Sequence, residues 1–354
     1  MKKIKFLENK ILNFSNIKKI YKISYKKNHH ANFGPVSNKL EKFIHKLCKL
    51  PSNYCAIMCS SGTSALLTSA NFLRIRGINK FATSNYTFFS SKINFLNNSK
   101  IIETNNKGLI DLKNLQKERN EFQALIYTNL FNLDPNYNEI YKFCQINKKA
   151  LIIDNALNLL ERPKNLKKRD IFEIISFHHT KPWGFGEGGV LICRRKYEKK
   201  IRNLMNFAAG NFNELAKYGL NSKISDLSCA AILDRLKNYK KMSILYNNQK
   251  NRILKIIKDN FIFKDILNRQ SKLNVSNYLA VVAKNKIDTD DFKKLKYIEC
   301  KKYYRPFEST KSFKRSNQLY DRIVCIPVGP QLKNISDKEI IKDLKIFFSV
   351  KMTN

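Results

Sequence analysis

From Tyr54 to Arg195 the chain alternates short, almost wholly apolar runs with stretches in which apolar residues recur every three or four positions. The runs YCAIMCS (54–60), KFATSNY (80–86), KIIET (100–104), ALIYTNLF (124–131), KALIIDNA (149–156), IFEIISFH (171–178) and GVLICRR (189–195) read as strands. Near-continuous apolar character over so short a length fits strands buried on both faces, the pattern of a mostly parallel sheet between two helical layers. Segments 63–76, 87–97 and 136–147 have helical spacing and supply crossovers, so the class is α/β. The last two strands are joined only by a glycine-rich loop. That is too short for a crossover helix, so they pair antiparallel or are not neighbours.

Beyond residue 196 the pattern turns helical, through YEKKIRNLMNF and SDLSCAAILDRLKNYKKMSILYNNQKNRILKII. A long helix in the second stretch leads toward a smaller unit. There NYLAVVAK (277–284), YIECKKYY (297–304) and RIVCIPV (322–328) read as strands, and SDKEIIKDLKIFF as a final capped helix. The expected division is residues 1–240, an N-terminal arm with a large domain, and residues 241–354, a small C-terminal α/β domain.

Composition narrows the class. With 43% hydrophobic residues and 24 Phe in 354 positions, the chain is not disordered. The net charge of +39 points first to nucleic acid or an anionic membrane. The lysines, however, are spread along the whole length, with no arginine-rich arm, zinc finger or basic zipper. They read as solvated faces of a lysine-biased protein, with attraction for phosphate-bearing small substrates as a secondary effect. No specific nucleic-acid partner is expected. Glu8, Asn9 and Lys10 interrupt any signal-peptide core, and no apolar stretch reaches membrane-spanning length, so no membrane insertion is expected. The 8 Cys lack Cys-x-x-Cys spacing and read as reduced, buried thiols of a cytoplasmic protein. The adjacent pairs His29–His30 and His178–His179 would point to opposite sides of a strand, and no metal is expected.

Gly184, Gly186 and Gly189 match the spacing G-x-G-x-x-G. A dinucleotide loop should open a helix, whereas Gly189 leads straight into the strand-like VLICRR, so the context contradicts that reading. The glycines instead flank Lys181. Ligands of open α/β sheets bind beyond the carboxyl ends of the strands. At the end of the first strand, Ser60, Ser61, Gly62, Thr63 and Ser64 open a helix. This is either a phosphate cradle or an ordinary hydroxyl N-cap. Asp154 ends the fifth strand, where a buried carboxylate needs a partner. Ser176 ends the sixth, and Lys181 follows five residues later, braced by Pro182 and Trp183. Partial desolvation there would lower its pKa and make it nucleophilic. Phosphate cradle, buried aspartate and strand-end lysine together meet the requirements of a pyridoxal 5'-phosphate site.

At these residues the sequence resembles the DegT/DnrJ/StrS family of pyridoxal-phosphate sugar aminotransferases. The likeness runs from NFGPVSNKLEKFIHKL through SSGTSAL, SNYTFFSS, IIDNA and SFHHTKPWGFGEGG to GLNSKISDLSCAAILDRL, YYRPF and LYDRIVCIPV. It implies the fold type I of pyridoxal-phosphate aminotransferases, with a mostly parallel seven-stranded sheet and a smaller C-terminal domain. It implies Lys181 as Schiff-base lysine and proton carrier, Asp154 beside the pyridine nitrogen, and Gly62, Thr63 and Ser176 on the phosphate. Phe88 takes the position of the aromatic that stacks on the ring, unless it is a core residue of the 87–97 helix. Asn221 matches an asparagine that reaches the partner subunit's phosphate, which implies a homodimer with shared active sites. Tyr303, Tyr304 and Arg305 are substrate candidates, with surface aromatics and a structural RPF turn as the alternative.

Two positions depart from the family. Leu157 stands where Gln or His is usual near the cofactor, and Lys223 where Arg is usual. Relatives that dehydrate sugars carry His in place of the lysine, so Lys181 favours transamination. The expected reaction takes an amino group from an amino acid, usually glutamate, to the keto carbon of a nucleotide-linked deoxysugar, as in surface-polysaccharide biosynthesis. Surplus Lys and Arg near the cleft would suit the diphosphate. The competing readings are sugar dehydration, an impaired member of the family, and a basic nucleic-acid-binding protein on a degenerate fold.

Overall fold

Seven of the apolar runs become strands of one sheet: β1 (Tyr54–Cys59), β2 (Phe81–Ser84), β3 (Lys100–Ile102), β4 (Ala124–Thr128), β5 (Ala150–Asp154), β6 (Phe172–Ser176) and β7 (Gly189–Arg194). The structure is a computed structural model and describes residues 3–134, 136–268 and 275–351. The strand order is β1-β7-β6-β5-β4-β2-β3. Strands β2 to β6 pair parallel, while β7 runs antiparallel to both β6 and β1. The short glycine loop therefore makes β6 and β7 antiparallel neighbours, one of the two arrangements its length allows.

Strand residues divide strictly by alternation. Met58, Tyr127, Ile153, Ile175 and Val190 pack under α1 (Phe14–Lys26), α2 (Pro35–Leu47) and the helix Asp226–Lys237. Ile57, Ile126, Ile152, Ile174 and Leu191 pack under α3 (Gly62–Ile75) and the helix Glu198–Met205. Burial on both faces is why these strands are apolar at nearly every position.

A second group of strands follows: β8 (Phe261–Ile262), β9 (Asp265–Ile266), β10 (Tyr278–Val282), β11 (Ile323–Pro327) and β12 (Ser349–Val350). They form an antiparallel sheet β11-β10-β9 and the pair β12-β8. The helix Tyr239–Asn260 contributes Tyr246 to the core beneath the large sheet, and Ile253, Ile256 and Ile257 to the core of the small one. The last helix, Asp337–Leu344, is closed by a capping box between Ser336 and Glu339. Among the described residues no helix is long and apolar enough to cross a membrane.

Two expectations fail. The helix expected over 87–97 is two 3-10 turns, Phe89–Lys92 and Asn94–Asn98, separated by an extended Ile93. Asn94 there turns its side chain to the backbone of Phe95 (2.7 Å), the local bonding that competes with helix. YIECKKYY forms no strand, because the Asp343 carboxylate takes the backbone N–H groups of Lys296, Tyr297 and Ile298 at 2.7–2.9 Å. What remains are isolated bridges from Ile298 to Ile4 and from Lys301 to Cys325. The stretch after Ser225 forms two helices that meet at Asn238, and the second, Tyr239–Asn260, is the long helix expected to lead to the smaller unit.

Candidate active site

The carboxyl ends of β1, β4, β5 and β6 meet along one edge of the large sheet, where Thr128 pairs with Asp154 and Ser176 with Gly189. A cavity of about 400 Å³ opens there. Gly62, Thr63, Phe88, Asp154, Leu157, Ser176, Lys181, Tyr303 and Tyr304 are all in its wall.

The helix entrance is both of the things its sequence allows. Ser61, in an extended conformation, accepts the N–H of Ser64 (3.0 Å), and Ser64 Oγ accepts the N–H of Ser61 (3.0 Å). Those two hydroxyls do the capping. The N–H groups of Gly62 and Thr63, in the first turn, have no acceptor within the helix and border the cavity. Glycine is required nearby for close approach. A Cβ on Gly189 would lie 2.4 Å from the Ser61 carbonyl, and one on Gly184 would lie 2.1 Å from the carbonyls of Phe177 and His178. Gly189 thus lets β7 press against the helix entrance, and Gly184 lets the lysine loop fold back on the residues that follow β6.

Asp154 is 6% exposed and accepts one backbone N–H, that of Ala156, at 3.1 Å. Burial pushes its carboxyl up, while the Ala156 bond and the Lys181 charge pull it down. Beneath it Asn155 is gripped by Asn129 (2.7 Å) and Glu173 (2.8 Å), and Glu173 pairs with Arg162 at 3.1 Å. That network holds the end of β5 in place. Burial lowers the Lys181 ammonium below its ordinary value, and Asp154 opposes the shift. The lysine is presented by tight turns: its N–H bonds His178 O (2.8 Å), and its carbonyl accepts the N–H of Gly184 (3.1 Å). Pro182 and Trp183 are buried beside it.

Phe88 precedes the first 3-10 turn instead of lying inside a helix, and is 48% exposed in the cavity wall, so the core-residue reading fails. Leu157 packs with Tyr303, Tyr304 and Leu133 around Phe131 and Tyr278. The Phe131 and Tyr304 rings stack at 6.3 Å. The wall opposite the sheet edge is therefore aromatic and aliphatic. Arg305 is exposed and outside the wall. Asn221 is also exposed and outside its own chain's cavity wall, and accepts a bond from Lys223 Nζ at 2.7 Å. The cations expected near the cleft are absent from its wall: among the described lining residues, Lys181 is the one Lys or Arg.

Sequence reasoning missed Leu7, Ser90, Thr128, Asn129, Phe131, His178, Glu187, Asn277 and Tyr278. Thr128 carried a legible signal, since it ends a strand beside Asp154. His178 stands out in the sequence only as half of an adjacent histidine pair. It faces Glu187 at 3.3 Å, and burial holds its imidazole below the ordinary value against the pull of that carboxylate. Leu7 and Asn277 carried no local signal.

In chemical terms, a helix N-terminus favours an anion, a buried carboxylate favours a cation, and a desolvated lysine offers a nucleophilic amine. One ligand with a phosphate, a protonated ring nitrogen and an aldehyde would satisfy all three. The residues present fit pyridoxal phosphate.

Comparison with known proteins agrees. Residues 17–345 match the model of the DegT/DnrJ/EryC1/StrS aminotransferase family. The chain belongs to this family. It is 25% identical over 208 residues to dTDP-4-amino-4,6-dideoxy-D-glucose transaminase of Shigella dysenteriae, a match covering 56% of this chain and 55% of that one. The chain spans about half the length of the curated relatives it matches. Among solved structures it resembles Helicobacter pylori PseC, an aminotransferase of pseudoaminic acid biosynthesis, with TM-score 0.78, 19% identity and coverage of 98% and 99% of the two chains. A Bacillus cereus protein described as a PLP-dependent aminotransferase superposes with TM-score 0.77 and 18% identity, over 98% of this chain and 100% of that one. The fold is that of the pyridoxal-phosphate-dependent aminotransferases, with the seven-stranded, mostly parallel sheet that the family resemblance implies.

Proposed function

We propose that the chain is a pyridoxal-phosphate-dependent aminotransferase moving an amino group from an amino acid, glutamate by family habit, to the keto carbon of a nucleotide-linked deoxysugar. The observation that carries this reading is the convergence on one cavity of a buried, under-satisfied aspartate, a desolvated lysine and a helix N-terminus. When bound, the cofactor supplies an electron sink and an amine carrier. Gly62, Thr63 and Ser176 would hold its phosphate, Asp154 would keep its ring nitrogen protonated, and Phe88 would cover one ring face. Lys181 Nζ would hold the cofactor's aldehyde end and, as a free amine, would carry a proton at the substrate carbon. The aromatic wall of Tyr303, Tyr304 and Phe131 excludes water and receives the sugar.

A homodimer with shared sites accompanies this reading. Asn221 is exposed, and Phe88, Phe89, Phe207 and Phe212 leave 48–59% of their surface uncovered. With the cavity wall short of cations, a partner subunit is the natural source of charge for the diphosphate. We assign residues 1–240 to the arm and large domain and 241–354 to the small domain, with the helix Tyr239–Asn260 crossing from one core to the other. A cytoplasmic setting fits the eight cysteines, all free and buried, with Cys55 and Cys193 unlinked at 3.8 Å.

Reduction of the loaded protein with borohydride, followed by peptide mapping, tests the cofactor reading: the mass tag is expected on Lys181. A tag elsewhere, or none on reconstituted protein, overturns it. Mass spectrometry of products from a panel of nucleotide ketosugars with and without glutamate tests the acceptor. Product that forms without an amino donor points to dehydration.

A further inference from the structure

The turn that carries Lys181 is held by donors from three distant parts of the chain. Lys10 Nζ donates to the carbonyls of His179 (2.5 Å), Lys181 and Gly184 (2.6 Å). Arg235 Nε donates to Pro182 O at 2.7 Å, and Asn277 Nδ2 to Thr180 O at 3.1 Å. Every carbonyl from residue 179 to 182, and that of Gly184, thus has a side-chain donor. Arg235 is itself anchored. Arg235 pairs with Glu8 at 2.7 Å, both side chains less than a tenth exposed, and the Tyr246 hydroxyl bonds Glu8 as well. None of Glu8, Lys10, Arg235 or Tyr246 borders the cavity.

An ammonium carries three donors and no acceptor, so Lys10 matches three converging carbonyls with nothing left over. Such charge-assisted bonds are roughly twice as strong as neutral ones. Catalytic groups must be held to within a fraction of an ångström, and a misplacement of about 1 Å can lower a rate about 100-fold.

We propose that Lys10 is a positioning residue: by gripping three carbonyls of the 179–184 turn it sets the direction in which the Lys181 side chain leaves the backbone, and so its aim across the cavity. The proposal rests on Lys181 being the reactive amine.

The grip is sensitive to pH. Burial and the Arg235 charge lower Lys10 to about 7, with Glu8 pulling upward. The facing groups are Glu8 on the arm, Arg235 on the helix Asp226–Lys237, and the His178 imidazole on the loop. A neutral amine keeps two N–H groups for three carbonyls, and one bond is lost.

The test is amide hydrogen exchange of the segment 178–186, corrected for intrinsic rates, on full-length protein with and without cofactor from pH 6 to 9. In Lys10→Met these amides are expected to exchange about tenfold faster while those of β5 are unchanged. For the loaded enzyme kcat falls about 10- to 100-fold with KM for the donor within about twofold. Lys10→Arg, charged at every pH used, restores protection and abolishes the wild type's loss of protection above neutrality. Wild-type exchange in Lys10→Met, acceleration spread evenly over the large sheet, or a Lys10→Arg no better than Lys10→Met overturns the proposal. If Lys10→Met does not fold, identical pH profiles for Lys10→Arg and wild type overturn it. Failure of the cofactor reading is seen separately, as a wild type that takes no borohydride tag at Lys181.

Discussion

Asp154 and Asp226 are both withdrawn from water, at 6% and 0% exposure, yet their surroundings are opposite. Asp226 begins the helix Asp226–Lys237, and its carboxylate accepts the backbone N–H groups of Val36 (2.8 Å) and Ser37 (2.9 Å) together with the Ser24 hydroxyl. It ties α1 and α2 to that helix. Gly34 must be glycine beside it, because a Cβ would lie 2.5 Å from the carboxylate. Asp154 accepts one backbone bond and otherwise looks into a cavity that also holds Lys181. A buried charge whose bonds are complete is scaffold. One left short of partners at a cavity wall awaits a ligand.

Substitutions sharpen that contrast. The largest effect is expected for Lys181→Ala, with kcat/KM lowered about 10⁴-fold or more in steady-state assays. Its melting temperature should hold or rise, since a desolvated cation is removed. Asp154→Asn should lower kcat about 10²- to 10³-fold. The protein without cofactor should be no less stable than wild type, because the carboxyl stands above its ordinary pKa. Asp226→Ala reverses the pattern: about 3 kcal/mol of stability is lost in urea titrations, while kcat per folded molecule stays within about twofold. If Asp226→Ala lowers kcat more than stability, or Asp154→Asn unfolds the protein, the contrast collapses.

The smallest effect concerns pH. A carboxyl raised in the folded state binds more protons there than in the unfolded chain between the two pKa values. Unfolding then releases protons, and stability declines as pH rises through that window, by at most ~1.4 kcal/mol per pH unit. For the protein without cofactor, melting temperature should therefore fall as pH climbs from the ordinary aspartate value of about 3.9 toward the raised one. Asp154→Asn should remove this component, so a wild type and variant with parallel pH profiles would contradict it.

Much of the sheet and half of the site could be read before folding was considered. Strand runs are local, and Asp154, Ser176 and Lys181 are marked by their place at strand ends. Residues 297–304 misled because their alternation is genuine while their backbone donors scatter: Tyr297 and Ile298 give theirs to Asp343, more than forty positions away, Glu299 to Ile4 and Lys301 to Cys325. The segment 87–97 misled in the other direction: its spacing is helical, yet Asn94 bonds the backbone of Phe95, the segment divides into two 3-10 turns, and Phe88 is left outside them at the cavity.

Periodicity, strand ends and small residues at a helix entrance were decided by the order of amino acids, since each depends on near neighbours and on one face being buried. Folding alone decided that Leu7, Asn277, Tyr303 and Tyr304 share a wall with Lys181, and that Lys10 grips the turn behind it. Those placements depend on the sum of every intervening turn and on how two cores pack along one helix. No stretch of sequence carries that sum in its own composition.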